Sequence, residues 1–220
     1  TKIKELEYLR STVVNTYSNE YNHTESTLSR KYIEKLKEKS NLTLSEKLLK
    51  IDLSRLFKQV DFPDIYFPIT PLNNYFIERI SEISGTGNFY KFNDVSSYQD
   101  YIKRLKLIPN ITKLMIDNLS NGIKHHMTYP KRIVLQLILQ LQEAILNNNK
   151  KNKYNHNHSI PKSIVSKFLN AIDKYLISSM KKLVIFLISK YLSKSRDTIG
   201  LKYLKNGRDL YNEYVIEYTF

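Results

Sequence analysis

The residues with the chemistry for catalysis or metal binding are few. The chain has five histidines, His23, His125, His126, His156 and His158, and no cysteine. Without thiols there is no disulfide framework, no sulfur-ligated metal and no cysteine nucleophile. None of the histidines stands in the H-E-x-x-H spacing that turns two imidazoles and a general-base glutamate toward one zinc ion. His125 and His126 are adjacent, so on a helix they diverge by about 100°. Both fall near the C-terminal end of a helical stretch, where a cation suits the helix dipole. His156 and His158 sit in an asparagine-rich loop. Asp61 and Asp64 lie in a proline-flanked loop, where carboxylates serve turns and caps. No G-x-S-x-G elbow and no phosphate-cradling glycine pattern occurs, and only five of the 220 residues are glycine. The pattern therefore assigns this chain no catalytic residue, no metal ligand and no cofactor of its own.

Charge is the other chemical feature. Lysine and arginine number 35 against 21 acids, a net charge of +14, with a sequence pI of about 9.6. Such an excess suits a nucleic acid or an acidic membrane surface. Two features argue otherwise. The cations are mostly lysine rather than the arginine that reads bases and phosphates in a fixed fork, and they are spread along the chain. Lysine, asparagine, isoleucine and tyrosine are abundant together, as an AT-rich gene would write neutral surface positions. No nucleic-acid partner is expected, and a basic nucleic-acid-binding domain stays an alternative. The 17 tyrosines without a tryptophan fall largely on apolar helix faces, where core packing accounts for them. The longest apolar run, Leu183 to Ile188 between lysines, is far short of the roughly 18–20 residues of a membrane span. The opening TKIKELEYLR has no apolar signal core.

The elements that must hold these residues are helical nearly throughout. Residues 2–18 place Ile3, Leu6, Leu9, Val13 and Tyr17 on one helical face. Asn19 to Thr27 is polar and reads as a break before a helix over 28–39. Thr43-Leu44-Ser45-Glu46 fits a capping box, opening a helix with Leu44, Leu48, Ile51 (or Leu49), Leu56 and Phe57 inward. Asp61 to Asn93 carries Pro63, Pro68, Pro71, Gly85 and Gly87 among aromatic residues. It reads as one long irregular segment with a helical piece near 74–84. Asp94 or Ser97 caps a helix ended by Pro109, and a further helix covers 111–124. Thr128 precedes Pro130 as a cap ahead of a first-turn proline. The polar run 147–159 reads as a disordered Asn/Lys-rich insertion. Pro161 opens a long helix to about Ser193 whose face is Met180, Leu183, Val184, Leu187, Ile188, Tyr191 and Leu192. Gly200 stops it, Asn206-Gly207 turns, and a final amphipathic piece breaks off mid-pattern at Phe220, as if the chain continues. The expected fold is an all-α multi-helix array with one proline- and aromatic-rich irregular segment, residues 1–220 forming a single domain or the N-terminal part of a larger one.

From about residue 43 onward the chain resembles the domain of unknown function 885 family of large helical proteins. LTLSEKLLKIDLSRL is similar to the family's early helix. PITPLNNYF followed by NFYKFNDVSSYQDYIKRLKLIP resembles its proline loop and the helix after it. NGIKHHMTYPKRIVLQLILQL is similar to its "G-i-x-x-g-i-t-l-P" segment, with His126 where a small residue is usual. RDTIGLKYLKNGRDLYNEYVIEYT resembles its block "R-x-x-x-G-L-x-x-L-P-x-G-x-x-x-Y". There Arg196, Gly200, Leu201, Leu204, Gly207, Tyr211 and Thr219 match and Lys205 replaces the proline.

The resemblance implies a zinc-dependent peptidase whose histidine–glutamate zinc helix lies downstream of residue 220, so zinc would belong to the full-length parent. It implies that the partners are the remainder of that polypeptide and a peptide substrate. Arg196, Tyr211 and Tyr214 are the substrate-binding candidates: the arginine for a two-pronged hold on a carboxylate, the phenols as donors to a peptide carbonyl or oxyanion. The alternative is a non-catalytic helical protein-interaction module. The isolated 220-residue chain is expected to retain no stoichiometric zinc after exhaustive dialysis and to cleave no peptide. A zinc-to-chain ratio near one by metal analysis would overturn this reading.

Overall fold

In the computed structural model, residues 19–61, 67, 92, 94–149 and 160–219 are described. The segment 2–18, the helical piece near 74–84, and most of the irregular and asparagine-rich segments lie outside them, as do His156 and His158. The described chain is all-α. Its helices are α1 (Asn19–Lys37), α2 (Leu44–Asp61), α3 (Val95–Leu105), α4 (Ile108–Lys124), α5 (Lys131–Asn149), α6 (Lys162–Ala171), α7 (Ser178–Phe186) and α8 (Gly207–Thr219). Among the described residues there is no strand, and the one β-bridge joins Pro130 to Arg196 in parallel.

Residues 19–27 correct the expected break: α1 runs through them. Their polarity gives no inward stripe, but nothing between Asn19 and Lys37 is glycine or proline, and polarity alone does not end a helix. At α2 the capping box forms. The Glu46 N–H bonds Thr43 Oγ1 at 3.3 Å, and Glu46 Oε2 accepts the Thr43 N–H at 2.9 Å. Lys39 adds an ion pair to Glu46. The stripe expected to face inward is instead exposed, with Leu44, Leu48, Leu49 and Ile51 all on the surface. α2 packs against α1, and its half-buried positions are Glu46, Lys50, Leu53 and Ser54, a different side of the cylinder. The side chains of Leu56 and Phe57 lie outside the described residues.

Asp94 is the cap of α3: its carboxylate accepts the Ser97 N–H at 2.8 Å while Ser97 Oγ accepts the Asp94 N–H at 3.3 Å. α3 ends at Leu105 and α4 begins at Ile108, three residues earlier than expected. Pro109 sits in the first turn of α4, where its missing N–H has no intrahelical acceptor to lose. Tyr98, Tyr101 and Leu105 of α3 pack toward α6, and Phe92 joins them. Its ring stands 4.8 Å from Tyr98 and 5.1 Å from Phe168, centroid to centroid. These tilted and edge-to-face rings bury large apolar area, so the tyrosines here are core.

The long helix after Pro161 is real but not uniform. α6 passes into a wider π-turn at Ile172–Ile177, then α7, then a second π-turn at Leu187–Tyr191 and a short 3₁₀ turn to Lys194. The signature is an N–H reaching five residues back, Ser178 to the Asp173 carbonyl and Leu192 to the Leu187 carbonyl. The widening matters for packing. The inward residues Phe168, Ile172, Leu176 and Met180 recur every four, as do Leu187 and Tyr191, and all are buried. In an ideal helix of 3.6 residues per turn such a run drifts sideways; π-turns hold it on the core formed with α3, α4 and α5. The same widening turns Ile188 outward: expected on the core face, it is 50% exposed.

The Glu46 carboxyl is held at about 2, chiefly by the Lys39 hydrogen bond and then by the Thr43 amide. Because the folded value is depressed, its contribution to α2 is present above the ordinary 4.5 and lost as pH falls through about 2. A carboxyl-detected NMR titration should place Glu46 near that value, and Lys39→Met should move it back toward 4.5.

Candidate functional site

The last two of the four family-like blocks meet at one crossing of the chain, between residues 122–131 and 191–210. The first segment of this crossing leaves α4 through a tight reversal. The Met127 N–H bonds the Gly122 carbonyl at 2.8 Å and the His126 N–H bonds the Ile123 carbonyl at 3.2 Å. These are the two bonds of a Schellman cap. The residue between them must be left-handed, and His126 has φ +58°. Glycine would adopt this geometry without the clash of a Cβ. His125 is the helix C-cap, and both imidazoles are exposed. Among the described residues there is no group of three His, Cys, Asp or Glu side chains placed to hold a metal ion. The histidine pair forms a helix terminus.

After the cap, Met127 to Pro130 is buried and runs beside Arg196. The Arg196 N–H bonds the Tyr129 carbonyl at 3.3 Å, and the Lys131 N–H bonds the Arg196 carbonyl at 2.7 Å. This pairing corrects the expected cap at Thr128. The helix starts at Lys131, so Pro130 rather than Thr128 stands just before it, and the Pro130 carbonyl receives the first N–H groups of α5, from Ile133 at 2.9 Å and Val134 at 3.1 Å. Thr128 is buried and its carbonyl serves Arg196.

Arg196 is the hub. Nε donates to the Thr128 carbonyl at 2.8 Å. Nη1 donates to the carbonyls of Thr198 at 2.8 Å and Gly200 at 2.7 Å. Beneath it the Tyr191 ring is completely buried, and its hydroxyl oxygen accepts the Tyr129 N–H at 2.9 Å. Burial pushes the Tyr191 phenol up to about 12, against the pull of that N–H and of the Arg196 charge. Burial also lowers the guanidinium from its ordinary value, opposed by Tyr191. Sequence reasoning placed Tyr191 on the inward face but missed its hydroxyl as the link between the two segments of the crossing. Its partner is a backbone amide 62 residues away, and no side-chain pattern signals that.

The remaining positions of the last block are set by backbone geometry. Gly200 has φ +101°, a conformation side chains avoid. Leu201 begins a single 3₁₀ turn to Tyr203, and Leu204 is buried with Met127 and Leu210 in a small second cluster. Asn206 is left-handed at φ +57°, which asparagine tolerates, and opens α8. A Cβ placed on Gly207 would lie 1.7 Å from the Leu201 carbonyl oxygen, so no side chain fits there. On α8, Leu210 is buried and Tyr211 is 58% exposed. Tyr214 lies one turn further along α8, and its side chain is outside the described residues. The structure therefore brings Arg196 to the crossing and sets Tyr211 on the surface of the helix that the crossing supports. Nε and Nη1 of Arg196 are occupied by the chain itself, so the expected two-pronged hold through the Nε edge would require releasing the Thr128 carbonyl.

A family model described as "Bacterial protein of unknown function (DUF885)" matches residues 6–220. No match is found to a curated protein or to a solved structure.

Two substitutions at this crossing should move stability in opposite directions. His126→Gly relieves a left-handed side chain and is expected to stabilise by about 1 kcal/mol. Gly207→Ala forces the Leu201 carbonyl away and is expected to cost about 2 kcal/mol or more. Urea unfolding of the two variants beside the parent measures both, and an unchanged midpoint for Gly207→Ala would contradict the close approach.

Proposed function

We propose, because this chain belongs to the DUF885 family of bacterial proteins of unknown function, that it is the N-terminal helical part of a zinc-dependent peptidase and forms one wall of its substrate channel. The zinc motif, a histidine–glutamate helix, lies beyond residue 220 in this reading, and the bound metal would supply its Lewis acidity there. No chemical step through zinc is assigned to the residues of this chain. Its partners are the remainder of the polypeptide and a peptide substrate.

The observation that carries this reading is Tyr211. In the family-like block, Arg196, Gly200, Leu201, Leu204 and Gly207 each have a packing or backbone reason to be what they are. Tyr211 matches the same block and is left exposed, where packing does not demand a tyrosine. A phenol on that surface can donate to a substrate carbonyl or to a developing oxyanion. Tyr214 follows three residues later in the same helix. Arg196 contributes as a positioning residue: its bond to the Gly200 carbonyl holds the loop that launches α8.

In the full-length protein, Tyr211→Phe is expected to lower kcat by about ten- to a hundredfold with the unfolding midpoint unchanged. Unchanged turnover would leave Tyr211 without a catalytic part. A coding sequence lacking a histidine–glutamate helix after Phe220 would replace this reading with the non-catalytic interaction module.

A further inference from the structure

We propose that the outward face of the rod formed by α6, α7 and their π-turns docks an acidic amphipathic helix of a partner protein. The face is defined by Lys181, Ile185 and Ile188, with Lys182, Lys190 and Lys194 beside them. Ile185 is 64% and Ile188 50% exposed, although the rod has a full complement of inward residues in Leu183, Val184, Leu187 and Tyr191. The two isoleucines are therefore surplus to the core. They follow Lys181 at spacings of four and three. A row at this spacing is the ridge that seats in the groove of a second helix.

Charge selects the partner. From Lys174 to Arg196 the chain carries six cations and no acid, and Lys174, Lys181, Lys182, Lys190 and Lys194 are all exposed. Acids beside an apolar stripe would complement this face and steer association. A second copy of the chain fits poorly, because a two-fold contact would set the lysines against themselves in a molecule already at +14. A lipid surface fits poorly too. A helix lying in a membrane interface presents a wide apolar face, and here that face is spent on the core, leaving two isoleucines outside.

The test is fluorescence anisotropy with a labelled synthetic helix carrying leucines at three-four spacing flanked by glutamates, alongside the same helix flanked by lysines. The chain is expected to bind the glutamate helix, to lose affinity as salt rises, and to ignore the lysine helix. Ile185→Ser with Ile188→Ser should weaken binding about tenfold or more, and Lys181→Glu with Lys182→Glu should abolish it. All four positions are exposed, so circular dichroism should show unchanged helicity in each variant. No binding of the glutamate helix, equal binding of both helices, or binding indifferent to these substitutions would overturn the proposal. So would a different occupant of the same face: binding to phosphatidylserine vesicles, or self-association in sedimentation, that the isoleucine substitutions remove.

Discussion

The architecture hangs on the burial of the Tyr191 side chain beneath the crossing of residues 128–131 and 195–200. A phenol taken fully out of water needs a partner for its oxygen, and the Tyr129 amide supplies it. That amide is itself exposed to loss, because Tyr129 lies outside any helix. The bond thus satisfies two groups that would otherwise be costly, and it joins the exit of α4 to the end of the rod. Arg196 completes the junction by giving its donors to three backbone carbonyls that no helix or sheet would otherwise satisfy.

The rod can deliver Tyr191 to that position only because it is not a plain α-helix. Two π-turns keep inward residues at intervals of four on one line, from Phe168 past Met180 and on to Tyr191. The adjustment has a consequence on the other side, where Ile188 emerges beside Ile185 among lysines. Core packing and surface chemistry are thus two results of one backbone irregularity.

The last family block is mostly a description of backbone geometry. Gly200 is left-handed, Gly207 lies against the Leu201 carbonyl, and Leu204 anchors the short 3₁₀ turn between them. Together they aim α8 away from the crossing with Leu210 inward and Tyr211 outward. The glycines and the arginine of this block shape the chain, while Tyr203 and Tyr211 are left on its surface.

The helical class, the capping box at Thr43 and Glu46, and the inward Met180–Leu183–Leu187–Tyr191 line were all legible in the amino-acid order. Each depends on residues within a turn or two of one another. The polar start of α1 was not legible, because a run of polar residues carries no apolar period. Nor was the exposure of Leu44, Leu48 and Ile188. Periodicity locates a stripe, but which stripe is covered depends on what packs there and on the local pitch of the backbone. The role of His126 was half legible: the departure from a small residue was visible, and the left-handed cap that explains it was not. The bonds of Tyr191 and Arg196 belonged to the tertiary structure alone. The two bonds that join the crossing reach main-chain groups 62 and 68 residues away, and every residue carries the same main-chain groups, so the order of side chains could not distinguish the right ones.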